Sequence, residues 1–447
     1  MSTLVAKIQE LYKRLCQDEW DAMMTGVIVA LFSILIMAWW RPWGAVGAVR
    51  NWGEWILYGI GVFSQKPAGI TVSSGSVIGL GFVAGAFVSA CLGNQFSFKF
   101  PPPWEFVKAI AAGILMGIGA AFAGGCNVGG MYNAIGNLAA NGFAMWFGLV
   151  IGVIIGLKYI YWEMENVSWG TTGGKNIDFP FILKIILGIG TIVFLVWGTR
   201  RYALAEDPYV ASLGGLLLIS AALGYAMQRG RWCMVQGFRE PHMTGDCTLA
   251  KSVALSIMIV AIGAAVLKYA VPQRGPAVVV EATVVSALDD LDVDEISDEE
   301  LADTLDDVIE ASEEAVLGAR RILDPSNYVR GTFGWGAVLG GILFGLGAML
   351  AGGCGTGTLW RVGEGQIKLW LVVPIFGISN AIMVHWFKAI QMEGTGPLHV
   401  GSKLGKHIYM PDVFGYGGTL LIIAIAMGLW YVIVTWNEDT NKFIVGF

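Results

Sequence analysis

Ten apolar runs, each close to the length that crosses a bilayer, constrain this chain more than any other feature. They lie at roughly 22–40, 76–92, 104–123, 143–162, 181–198, 210–227, 250–271, 333–351, 369–388 and 415–436. About 20 apolar residues in a helix cover the hydrocarbon core. Inside that core the backbone must satisfy its own hydrogen bonds, so each run is expected to be a helix. Only 14 % of residues are charged and mean hydropathy is +0.63, against about 25 % charged in soluble domains. Trp and Tyr gather at run ends, as at Trp39, Trp40, Tyr161, Trp162, Trp430 and Tyr431, where interfacial rings sit. The 62 glycines suit helices packed through small residues.

The runs are not independent of one another. Gly113 to Gly130 reads GILMGIGAAFAGGCNVGG, and Gly341 to Thr358 reads GILFGLGAMLAGGCGTGT, with eleven of eighteen positions identical at an offset of 228. Similarity at one fixed offset marks an internal repeat. A weaker pairing sets Gly85–Phe96 beside Gly224–Phe238. In both repeats a Gly-rich apolar helix meets a Gly-Gly-Cys turn. The segments after the turns, 128–141 and 356–365, are too rich in Gly and polar residues to face lipid. Both stretches read as re-entrant backbone buried by protein, and interrupted segments in matching places of two halves point to half-helices near the midplane. The expected fold is an all-α polytopic membrane protein. It has two pseudo-symmetric halves, re-entrant half-helices meeting at the centre, and an acidic extramembrane helical insertion. The divisions are 1–21 (amphipathic N-terminal segment), 22–74 (first span and interfacial loop), 75–200 (first half), 201–276 (second half, first part), 277–330 (insertion) and 331–447 (second half, second part).

Residues 1–21 carry both signs of charge and lack the basic start and cleavage site of a signal peptide; they read as a helix lying on the membrane. Residues 281–314 hold fifteen acidic residues and no Lys or Arg, so the formal charge of −6 becomes −6 + 15 = +9 for the remainder. A basic membrane part suits an anionic solute, and the Lys/Arg enrichment of cytoplasmic loops explains it equally well. Within the insertion, Ser297 and Glu300 form a capping box, with Ile296 and Leu301 placed for a hydrophobic staple. An acidic amphipathic helix is expected there, after a loose or β-prone stretch around Val278–Val285. It reads as a solvated linker, or as a docking site or gate.

Cys126 and Cys354 occupy equivalent turns. Glycine beside them, at Gly125, Gly353 and Gly355, lets backbone N–H groups face a solute. A helix starting there would aim its positive end at an anion. A buried apolar thiol stays neutral and is a weak donor; the competing reading is a small-residue packing corner. Cys233 lies among arginines in QRGRWCMVQGFR, which could gather anions or anchor the interface. Arg361 and Glu364 are expected to form an ion pair that fixes their loop. The histidines show no metal-ligand spacing, and no cofactor or nucleic-acid motif is present.

GRWCMVQGFRE at Gly230–Glu240, GLGAMLAGGCGTGTLWRVGEGQ at Gly345–Gln366 and GIGAAFAGGCNVGG at Gly117–Gly130 together resemble the YeeE/YedE sulfur-transport family, over about Gly75 to His385. The Arg-Trp-Cys segment falls in the second half, as in the YedE branch. The resemblance implies an inner-membrane, multi-pass permease, not an enzyme. It implies passage of thiosulfate or a related sulfur anion along Cys233, Cys354 and Cys126 by transient S–H hydrogen bonds; Cys91 matches no family cysteine. Gly125, Gly353, Gly355, Thr356 and Arg231 complete the expected path. A soluble sulfur-carrier protein is implied as a partner, and a homo-oligomer is compatible. Two alternatives stay open, a selenium-compound transporter and a membrane thiol or persulfide redox enzyme.

Overall fold

The structure, a computed structural model, describes residues 2–289, 331–392 and 402–444. The helices are α1 (Ser2–Tyr12), α2 (Ala22–Trp39), α3 (Ala45–Gly59), α4 (Ser74–Leu92), α5 (Pro103–Ala123), α6 (Asn133–Gly136), α7 (Asn141–Asn166), α8 (Phe181–Ala203), α9 (Pro208–Arg229), α10 (Met234–Met243), α11 (Thr248–Asp289), α12 (Trp335–Ala351), α13 (Gly355–Gly363), α14 (Ile367–Ala389) and α15 (Met410–Thr440). A two-stranded antiparallel ribbon, β1 (Ser97–Phe100) and β2 (Lys175–Asp178), is the only sheet among the described residues. Ten helical stretches are long and apolar enough to cross a membrane, and each coincides with one of the expected runs.

Two elements differ from expectation. Helix α3 has no counterpart among the expected runs. Arg50 and Glu54 dilute its hydropathy, yet its apolar face packs on α14, with Gly53 against Gly377. Helix α11 runs to Asp289, through the stretch expected to be loose or β-prone. Extending an existing helix adds one hydrogen bond per residue fixed, and this outweighs the weak strand preference of Val278–Val285. The capping box and acidic helix expected at 297–316 lie outside the described residues.

The repeats pack as an inverted pair. Gly119 of α5 lies against Phe344 of α12, Gly340 against Ala123 and Gly347 against Met116, so α5 and α12 run antiparallel. Meanwhile α5 runs parallel to α14, through Gly113 on Ile375 and Gly117 on Asn380. Likewise α12 runs parallel to α7, through Gly148 on Val338 and Gly152 on Ile342. Each repeat thus places its first helix against the last helix of the other, a pseudo-two-fold in the membrane plane. Lipid offers little hydrophobic drive between helices, so these backbone-close glycine crossings supply association through van der Waals contact.

Ion pairs close one end of this four-helix core. Lys368 Nζ at the start of α14 reaches Glu105 (2.5 Å) and donates to Leu350 O at the end of α12 (2.6 Å). Lys108 joins Glu105 to Glu163 of α7, the latter at 2.7 Å. On the same face as the ends of α4 and α9, Tyr12 Oη donates to Leu92 O (2.6 Å) and Arg229 to Cys16 O. Helix α1 and the π-helical turn after it leave Leu4, Ile8, Leu11 and Leu15 exposed in one stripe, the side a surface helix lays on lipid.

Candidate functional site

The two Gly-Gly-Cys turns share one conformation. Gly124 (φ 70°) and Gly352 (φ 82°) end α5 and α12 in the left-handed region, which glycine enters without steric cost. The following glycine then donates back to the helix: Gly125 N–H to Ala120 O (2.9 Å) and Gly353 N–H to Ala348 O (3.0 Å). This satisfies helix-end carbonyls that lipid could not. Cys126 (φ −74°, ψ 179°) and Cys354 (φ −70°, ψ −179°) are both extended and start a new helical segment. Cys126 O accepts from Gly130 N–H (2.6 Å), and Cys354 O from Thr358 N–H (2.7 Å).

Cys233 arrives by a different route. Arg231 adopts φ 50° after α9, and Cys233 then starts α10. Its Sγ stands 3.6 Å from Cys354 Sγ, 121 residues away. Cys354 Sγ also accepts from Gly357 N–H (3.2 Å) and touches Thr356 Oγ1 (3.3 Å). Gly355 links this pair to the third thiol: a Cβ built on it would lie 3.4 Å from Cys126 Sγ. One built on Gly357 would lie 2.8 Å from Cys233 Sγ and 3.3 Å from Cys354 Sγ. Cys126, Cys233 and Cys354 are all buried. Three segments therefore begin at the thiols, with the N-terminal ends of their dipoles at one place. No acidic side chain lies among these contacts.

A cavity of about 140 Å³ reaches Cys126, Gly124 and Gly125 from the face where α5 ends. A hollow of about 10 Å³ reaches Cys233 and Gly353 from the face where α12 ends. Because α5 and α12 are antiparallel, the two approach the thiols from opposite faces.

The arginines divide their roles. Arg231 pairs with the buried Glu364 carboxylate (2.8 Å) and lies over Trp360 (5.5 Å), and it lines neither space. Arg239 and Arg361 line the hollow at Cys233. Glu364 is also held by Gln228 (2.7 Å) and Gln366 (3.1 Å). The expected Arg361–Glu364 pair is absent, because Arg361 turns the other way, donating to Gly352 O and covering Trp360 (4.5 Å). Cys91 packs in a separate apolar cluster with Ala90 and Phe96. Asn127 joins the site although its sequence context did not single it out. Its Oδ1 accepts from Gly355 N–H (3.3 Å), and its buried Nδ2 has no hydrogen-bond partner. The departure from the repeat at this point, Asn127 where the second copy has Gly355, was the available signal.

Comparison with known proteins bears on what this arrangement serves. Probable transporter YedE of Escherichia coli K12 is 25 % identical over 358 residues, covering 76 % of this chain and 73 % of its own length. The protein of the same description from Salmonella typhimurium LT2 matches equally. Thiosulfate transporter TsuA of E. coli K12 is 28 % identical over 168 residues, 37 % of this chain and 33 % of its own. The pattern of the sulphur transport family matches residues 2–155 and 315–444. That is more than half of the sequence, so the chain belongs to the sulphur transport family and is a multi-pass inner-membrane transporter of sulfur species.

Proposed function

We propose that the protein is a permease for a small sulfur-containing anion, thiosulfate or a close relative, and that the ion crosses at the three-thiol constriction. The observation that carries this reading is the meeting of Cys126, Cys233 and Cys354, from three distant segments, between a cavity on one face and a hollow on the other. A bare charge at the bilayer centre costs several kcal/mol. Helix N-terminal N–H groups offset part of that cost. Neutral thiols add weak S–H donors to the polarizable sulfur of the cargo. Several weak sites in series let the ion leave as readily as it arrives. Gly125, Gly353, Gly355 and Thr356 serve by keeping the backbone close to the thiols. Arg231 serves at one remove, by holding Glu364 and the start of α10.

The test is uptake of labelled thiosulfate into vesicles containing purified protein, wild type beside Cys354→Ala, with sulfate and selenite as competitors. Uptake by the wild type that is lost in the variant supports the reading. Equal uptake by both refutes the role of the thiols, and selenite outcompeting unlabelled thiosulfate reassigns the cargo.

A further inference from the structure

Asn127 sits on the seam between the two halves. It follows Cys126, and its Oδ1 accepts from the N–H of Gly355, which follows Cys354 (3.3 Å). That contact fixes which way the amide points. A backbone N–H can face only the carbonyl oxygen, so the NH₂ group is the end turned away from it. The side chain is 0 % exposed, and Nδ2 has no acceptor among the described residues. Cys126 lines the cavity on one side and Gly353 the hollow on the other, while Asn127 lines neither. Its amide therefore lies in the closed stretch between them.

Backbone donors beside the thiols are already engaged. Gly357 N–H serves Cys354 Sγ (3.2 Å), Thr358 N–H serves Cys354 O (2.7 Å) and Gly130 N–H serves Cys126 O (2.6 Å). The Asn127 NH₂ is a strong donor left uncommitted close to where the sulfurs meet. A buried donor without an acceptor is costly to keep. The turn itself does not require one: the second copy has Gly355 at this place, and its cysteine is extended just as Cys126 is. Such a donor is satisfied when an acceptor passes. Sulfur accepts hydrogen bonds weakly and oxygen strongly, so the matching acceptor is an oxygen. The amide is also neutral, and it adds no charge that would trap an ion on its way.

We infer that Asn127 is a cargo-binding residue, whose Nδ2 donates to an oxygen of a small sulfur oxyanion where the two halves meet. That the ion goes on to cross rests on the permease reading; the donor rests on the contact between the halves and the unpaired amide.

Two variants and two assays test them separately. Asn127→Leu has nearly the same shape and no polar group. Thiosulfate binding to the purified full-length protein, followed by calorimetry, should weaken about tenfold or more, the loss expected for one hydrogen bond to a charged acceptor. The melting temperature without thiosulfate should stay within a few degrees of wild type, because the variant also removes an unpaired buried donor. A residue that only braced Gly355 would lower it. Asn127→Asp separates donor from acceptor: either carboxyl form still accepts from Gly355 N–H, and only the protonated form donates. Burial raises a carboxyl pKa, so relative to wild type at the same pH the Asp variant should bind nearly as well at about pH 5 and about tenfold or more weaker at about pH 9. Binding within about twofold of wild type in Asn127→Leu, or at both pH values in Asn127→Asp, overturns the inference. So does a wild type that binds none of thiosulfate, sulfate and selenite. A wild type that binds thiosulfate and moves none into vesicles refutes the permease reading and leaves the donor standing.

Discussion

Replacing Gly357 with alanine tests the constriction with a single methyl group. Its Cβ would lie 2.8 Å from Cys233 Sγ and 3.3 Å from Cys354 Sγ, where unstrained non-bonded heavy atoms sit at about 3.5–4.0 Å. The two sulfurs must therefore give way by up to about 1 Å. Overpacking of this kind costs about 1–3 kcal/mol. Gly357 is inside α13, so alanine returns up to about 1 kcal/mol of helix preference. The net loss of stability is then about 0–2 kcal/mol, and the variant should fold. Transport should suffer more. If the ion passes between these sulfurs, the same 1–3 kcal/mol enters its barrier, and flux falls roughly 5- to 150-fold. The control is Gly428→Ala, where a Cβ would meet nothing within 4 Å and flux should be unchanged. Thermal unfolding in detergent and thiosulfate uptake in vesicles read the two effects. A Gly357→Ala protein that unfolds at the wild-type temperature and transports at the wild-type rate would refute the reasoning, because the sulfurs would then not bound the path.

Three further expectations rest on named contacts. Cys233 and Cys354, with sulfurs 3.6 Å apart, should cross-link under a mild oxidant with about 1.5 Å of approach. Peptide mapping should find that disulfide, and uptake should stop and return with a reductant; an oxidised protein with free thiols at both positions contradicts the geometry. Glu364→Gln keeps one oxygen for Gln228 and Arg231 but removes the charge opposite Arg231 and sets an amide NH₂ against the Gln366 Nε2 donor. It should cost about 1–3 kcal/mol of stability, less than the loss of a fully buried pair because Arg231 is 32 % exposed; an unchanged melting temperature would show the carboxylate to be dispensable. The third concerns pH. Lys184, 2.6 Å away, holds the Asp178 carboxyl below the usual carboxylate range through its hydrogen bond. A depressed acid stabilises above its unfolded pKa of about 4 and loses that contribution as pH falls through the folded value. The β2–α8 junction should thus become easier to cleave by an acid-active protease as pH drops below about 4, and Asp178→Asn should remove that dependence.

What the sequence disclosed depended on whether the signal was summed or single. Hydropathy sums over about twenty residues, so all ten spans could be read. The repeat sums over eighteen positions, so the equivalence of Cys126 and Cys354 could be read as well. Helix α3 escaped because Arg50 and Glu54 break its apolar run, although its packed face is set by Gly53 and Gly377. Contacts between distant segments left no periodic trace. Arg361 and Glu364, three residues apart, look like a helical ion pair, but Glu364 is drawn to Arg231 and Gln228 on another element, and Arg361 to the open carbonyl of Gly352 and the face of Trp360. The meeting of Cys233 with Cys354 is of the same kind. The small departure from symmetry is the more telling case. Asn127 and Gly355 hold the same place in the two repeats and touch one another, Oδ1 to N–H, so the pseudo-two-fold passes between them. A strict repeat would put glycine at both positions and leave that N–H without its carbonyl partner. One copy supplies the bare backbone and the other an amide whose Nδ2 stays without a partner beside the thiols. Of the positions at which the two repeats differ, this one sets a side-chain oxygen of one copy on the backbone N–H of the other, so the mismatch is itself a contact between the halves.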